Sequence, residues 1–197
     1  MKKTILYAFL LLLLPMCLAA QQTDDFLWDM DDYGKAGITK YIGTSKDVVI
    51  PRTINGIPVT GIGDDVFRYS QLTSVIIPDS IRAIANYTFL GNFLTDIDIP
   101  DSVTLIGDGA FAKNSLLTHI TIPQSVEAIG SSIFEGTPIT SITIGRGVRL
   151  TQFTMGRFPK GVMGSDDFSF NEAYLSGGSL AGTYTRPNAE SRTWTRK

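Results

Sequence analysis

The 197-residue chain has one histidine, His119, and one cysteine, Cys17. Aligned in the period described below, His119 follows Asp96 in a single column, and Asp98 stands two residues beyond Asp96. An imidazole beside two carboxylates is a donor set a divalent cation accepts. The same groups could also trade a proton. Neither chemistry is complete. There is no second histidine, no Cys-His pairing, no Gly-rich phosphate loop and no nucleophile motif. A polar surface patch is therefore expected, with no catalysis, no cofactor and no metal. Asp29, Asp31, Tyr33 and Gly34 graze a calcium-loop pattern, but Tyr33 stands where Asp or Asn is needed and Lys40 where Glu is needed. A solvated turn is expected there. Asn86-Tyr87-Thr88 matches a glycosylation sequon, and Ser125 and its equivalents read as structural corner residues.

The elements that position these residues repeat. Pro51, Pro78, Pro100, Pro123 and Gly145 occupy equivalent places, spaced 27, 22, 23 and 22. Phe67, Phe89, Phe111 and Phe134 form a second column, and Ile62, Ile84, Ile106 and Ile129 a third. The longer first spacing holds an extra Asn55–Val59 segment, whose Asn-Gly pair predicts a hairpin turn. Within each unit a short alternating strand, such as Ile120-Thr121-Ile122, has one buried face and ends at proline. A single unit cannot bury its apolar face, but stacked units share one core. The fold class expected is a mainly β repeat solenoid of about five units with parallel strands. The outward columns are then Asp47, Ser74, Asp96, His119 and Ser141, and, beside them, Val49, Ile76, Asp98, Thr121 and Thr143. They are the candidate binding surface. Five strands about 4.8 Å apart give only some 250 Å², against ~800 Å² per partner in a standard interface. A large partner must also touch loops or the tail.

The text I-x-I-P-x-S-V-x-x-I-G-x-x-x-F, as in the stretch from Ile120, resembles the BspA-like, or Treponema-type, leucine-rich repeats of bacterial surface proteins. The opening INGIPVTGIG at 54–63 is similar to that family's first repeat. Ala85 in place of Gly and Gly145 in place of Pro depart from the pattern, and after Gly145 only Val148 keeps the register. The resemblance implies adhesion to host matrix proteins or to other bacterial surface proteins.

The ends differ from the array. Lys2 and Lys3 precede the apolar run Ile5–Met16, too short to span a bilayer and suited to a signal peptide cleaved after Ala19 or Ala20. Cys17 reads as part of that discarded segment. A lipid anchor on it is the less favoured reading, since Pro15 and Met16 are poor where small residues are wanted. No transmembrane span is expected. The organisation expected is 1–20 signal peptide, 21–47 N-terminal β cap, 48–148 repeat array and 149–197 C-terminal cap or accessory tail. In the tail, 166–175 reads as a short helix, and TYTR (183–186) with RTWTR (192–196) as a hairpin sharing Tyr184 and Trp194 on one face. These two either close the stack or form an aromatic platform for a sugar or peptide ring. Residues 21–145 carry 7 Lys+Arg and 15 Asp+Glu, and residues 146–197 carry 8 and 4. An acidic body argues against nucleic acid. The function expected is an exported interaction or adhesion module at the cell surface that binds a protein. The alternatives are the periplasm as location and a carbohydrate-binding or structural envelope role through the tail.

Overall fold

The computed structural model describes residues 23–150, Tyr174 and residues 176–197. The segment read as a signal peptide, Cys17 within it, and the helix expected over 166–175 (Tyr174 aside) lie outside the described residues. The chain forms a solenoid with three sides. Its strands in order are β1 Phe26–Met30, β2 Ala36–Tyr41, β3 Asp47–Val49, β4 Thr53–Ile54, β5 Ile57–Ile62, β6 Ser74–Ile76, β7 Ala83–Ile84, β8 Leu105–Ile106, β9 His119–Ile122, β10 Ala128–Ile129, β11 Ser141–Ile144, β12 Arg149–Leu150, β13 Gly182–Thr185 and β14 Thr195–Arg196.

The first side carries the alternating strands. Here β3 pairs with β6 in parallel, and β9 pairs with β11. Residues 95–99 of the intervening unit form no strand. The five-stranded surface expected from the sequence is therefore interrupted in the middle. The second side is the continuous one, in the order β1-β2-β5-β7-β8-β10-β12, with β4 folded onto β5. The Ile62, Ile84, Ile106 column follows this ladder, register for register, through Ile129 to Leu150. The parallel ladder thus runs one strand past Val148, where the sequence pattern fades.

The third side is built of tight turns at 64–70, 86–92, 108–114 and 131–137. Asp65, Tyr87, Gly109 and Ser132 all take left-handed backbone there, as do Tyr69, Gly91, Lys113 and Gly136 four residues on. A non-glycine residue in that region costs roughly 1–2 kcal/mol, so the turns depend on what is packed beneath them. Beneath lies the phenylalanine column. Phe67 and Phe89 stack at 5.3 Å with planes 4° apart, Phe89 and Phe111 at 5.8 Å and 3°, and Phe111 and Phe134 at 6.3 Å and 20°. The N-terminal hairpin β1–β2 ends this file, placing Tyr41 at 5.2 Å and Phe26 at 6.2 Å from Phe67.

The turn carbonyls next to these rings are cut off from water, and buried asparagines satisfy them. Asn92 Nδ2 donates to Phe67 O and Phe89 O, while its Oδ1 accepts from Leu72 N. Asn114 repeats this one unit later, donating to Phe89 O and Phe111 O and accepting from Leu94 N at 3.4 Å. In the last turn Thr137 Oγ1 donates to Phe111 O and accepts from Asn114 N. A second file runs alongside: Asp64, Asn86 and Asp108 each accept, through Oδ1, the backbone N–H of the equivalent residue in the next unit.

The inserted segment and Gly145 both sit inside this frame. The extra segment forms the β4–β5 hairpin through Asn55 and Gly56, φ 51° and 78°, the geometry of a two-residue type I′ turn. Gly145 replaces proline where a Cβ would lie 2.5 Å from Gln124 Cα. Phe111→Ala should cost about 3–5 kcal/mol, since the ring is fully buried between two others. A variant that melts with the parent in urea would contradict the stacked core.

Candidate functional site

The first side presents the candidate residues. Asp47, Ser74, Asp96 and His119 are exposed, as are Val49, Ile76, Asp98 and Thr121, while Ser141 and Thr143 are half-buried. Alternation explains this, because Val48, Val75, Ile97, Ile120 and Ile142 between them are buried. Three local groups result. Asp47 Oδ1 accepts from Ser74 Oγ at 2.7 Å and Thr73 Oγ1 at 2.8 Å across the β3–β6 pair. Those two hydroxyl donors hold its carboxyl below the usual value. Val49 and Ile76 stand opposite each other, with Ile76 61% exposed. Asp96 reaches His119, with Nε2 3.4 Å from Oδ1 and both side chains solvent-exposed. Asp96 Oδ1 also accepts from Ile97 N at 2.9 Å. Among the described residues no group of three or more His, Cys, Asp or Glu is placed to hold a metal ion.

The structure uses the remaining chemical candidates elsewhere. Asp31 Oδ1 accepts the N–H groups of Tyr33 and Lys35, so the would-be calcium loop is an Asp-capped hairpin turn. Asn86 Oδ1 accepts from Asp108 N and Thr88 is buried, which engages the sequon in the stack. The hydroxyl oxygens of Ser80, Ser102 and Ser125 are buried at the corners.

The tail closes the stack more firmly than a hairpin alone would. β13 lies antiparallel on β11, setting Tyr184 opposite Ile142, and β14 pairs behind it. Tyr184 is therefore 1% exposed, with its hydroxyl donating to Leu180 O. It packs edge-on to Tyr174 at 5.9 Å. The aromatic platform expected at Tyr184 and Trp194 is not formed, because Tyr184 faces the core. Tyr174 donates to Gly145 O and accepts from Val148 N, and burial pushes its phenol up. Arg186, 6% exposed, locks the strand: its backbone N–H donates to Thr140 O and its Nε to Ile139 O at 2.6 Å. Its guanidinium lies 4.8 Å from the centre of the half-buried Trp194 ring. Thr183 Oγ1 lies 2.9 Å from Thr143 Oγ1, its register partner, so the tail extends the first side beyond β11.

Sequence reasoning missed both polar files and the docking of β13. The files carried a signal, since Asn92, Asn114 and Thr137 keep the 22–23 spacing, as do Asp64, Asn86, Asp108 and Ser131. The docking carried none.

A solenoid of short parallel strands with a buried Asn file beneath its turns is a leucine-rich repeat. The chain belongs to the BspA-type leucine-rich repeat family, whose model matches six copies over residues 44–161. That region begins before β3 and runs past β12. Among solved structures, it is similar to a leucine-rich repeat protein from Bacteroides ovatus, at 28% identity and TM-score 0.55 over 64% of this chain and 35% of that one. A leucine-rich repeat protein of T. pallidum matches at 23% identity and TM-score 0.48, over 57% of this chain and 65% of that one. The chain thus spans less than two thirds of either relative. No curated protein matches it. No helix among the described residues is long and apolar enough to cross a membrane.

Two outcomes follow. Asp47 with its lowered value contributes stability above the unfolded carboxylate range of about pH 4, and loses it as pH falls through the folded value. Asp47→Asn should remove that slope, so that parent and variant melting temperatures converge in acid; parallel profiles would contradict the bonding. Arg186→Ala removes a buried charged donor, at a cost of about 1.5–3 kcal/mol, and should expose the tail to limited proteolysis before the array. Equal resistance in parent and variant would contradict the clamp.

Proposed function

We propose that the chain is an exported interaction module that captures a protein ligand at the cell surface through its first side. The surface consists of Asp47, Ser74, Ile76, Asp96, Asp98, His119, Thr121, Ser141 and Thr143. The carrying observation is that Ile76, Asp96, Asp98 and His119 are exposed and central on that side. An aliphatic pair, two carboxylates and an imidazole are exposed on one side of the scaffold. Family membership supports protein binding as the role, because stacked repeats present extended surfaces of this kind.

Matrix proteins or another bacterial surface protein are the ligand classes the family resemblance suggests. Export rests on the reading of 1–20 as a signal peptide. The surface is small and interrupted at 95–99, so a tight partner must also reach the turns or the tail. With Tyr184 buried, the tail platform offers no competing aromatic face.

The test uses the purified chain on immobilised extracellular-matrix extract and on intact bacterial cells. Replacing Asp96, Asp98 and His119 together with Ala should weaken capture by about tenfold or more at an unchanged melting temperature, since all three are exposed. Unchanged capture would remove the first side from the account. Protease added to intact cells should digest the protein, whereas protection until the envelope is opened would place it in the periplasm.

A further inference from the structure

Two tyrosines stand exposed on the turn side, where the fold has no need of an aromatic ring. Tyr69 and Tyr87 are 53% and 43% exposed, and both take left-handed backbone, φ 52° and 55°. Glycine or asparagine suits that geometry better. Other units place Asp65, Gly109 and Ser132 in the column of Tyr87, and Gly91, Lys113 and Gly136 in that of Tyr69. The rings are not loose. Each leans one unit forward onto bare backbone: a Cβ at Gly91 would lie 2.2 Å from two Tyr69 ring carbons, and one at Gly109 would lie 2.5 Å from Tyr87 Cδ1. The two glycines therefore seat the rings.

Polar groups flank them. The Arg68 guanidinium lies over the Tyr69 ring, 5.5 Å from its centre, and is paired with Asp65 at 3.0 Å. The backbone brings these turns side by side, with Asp65 N donating to Asn86 O and Tyr69 N to Leu90 O.

We propose that this patch is a saccharide-binding site. The Tyr87 ring stacks against the C–H face of a neutral hexopyranose unit, Tyr69 with the Arg68 guanidinium over it bounds the patch, and the Asp65–Arg68 pair takes the sugar's hydroxyls. The ring faces are the negative part of the aromatic quadrupole and attract polarised C–H groups. Asp65 accepts from hydroxyls and Arg68 donates to them. Seating on glycine lowers the ordering cost of binding. The acidic body, 7 Lys+Arg against 15 Asp+Glu over residues 21–145, repels polyanionic glycans and leaves neutral ones favoured. The patch is on a different side from the surface proposed above, so either assignment can fail alone.

The test is native electrophoresis of the full purified chain through gels cast with laminarin, mannan, starch or xyloglucan. At least one should retard the parent. Tyr69→Ala with Tyr87→Ala should weaken that retardation about tenfold at an unchanged melting temperature, and Tyr69→Phe should retain it. Arg68→Ala leaves both rings seated and should weaken retardation several-fold, which keeps the test sound if the double variant is unstable. Retardation of the parent by none of the four polysaccharides overturns the proposal. So does retardation that survives both the double variant and Arg68→Ala.

Discussion

Asn92 and Asn114 are enclosed, and each binds backbone groups of its own unit and of the unit before it. A leucine-rich unit folds its turn carbonyls over a phenylalanine ring, where water cannot reach them. A buried carbonyl without a partner costs about 1–3 kcal/mol, so several such turns would unravel a stack held only by apolar contact. The carboxamide solves this with two donors and one acceptor in a fixed plane. It ties unit to unit at the place where the left-handed turn residues strain the chain. The ring file, the turns and the strand register all depend on that tie.

From this frame the surfaces follow. The second side is a continuous ladder because the two-residue strands β7, β8, β10 and β12 lie directly after the corners, where register is fixed. The first side is looser, and residues 95–99 leave the ladder between β6 and β9. The Arg186 clamp and the Tyr174 hydroxyl spend the tail on closing the last unit. What remains unspent is the outward face of β3, β6 and β9, together with the two seated tyrosines on the turn side. Binding is assigned to residues that packing does not require.

Much of the fold is legible in the sequence because side-chain period and burial coincide. The columns of proline, phenylalanine and isoleucine mark the corners and core, and Asn55-Gly56 marks the inserted hairpin. Strands such as Ala83–Ile84 are too short for alternation to reveal, so the continuous sheet was hidden. The polar file is hard to see because only two asparagines carry it before Thr137 takes over the task. Tyr184 stays between two readings, closing the stack or forming a platform, for a deeper reason. Its burial comes from pairing with β11, some forty residues earlier, and no local pattern encodes that choice of edge. Among the candidate residues, the approaches of Asp96 to His119 and of Ser74 to Asp47 are legible from register alone, whereas the Thr73 donor to Asp47 is not, because Thr73 lies outside the outward columns.

The most direct test of the central tie is native-state hydrogen exchange at the amides of Leu72 and Leu94, which donate to the Asn92 and Asn114 side chains. If the asparagine file holds the units together, both amides should exchange only through global unfolding, with an opening free energy equal to that from denaturant melts. Exchange at the rate of exposed turn amides, or at clearly different energies for the two, would show that the units open separately and that the file does not bind them.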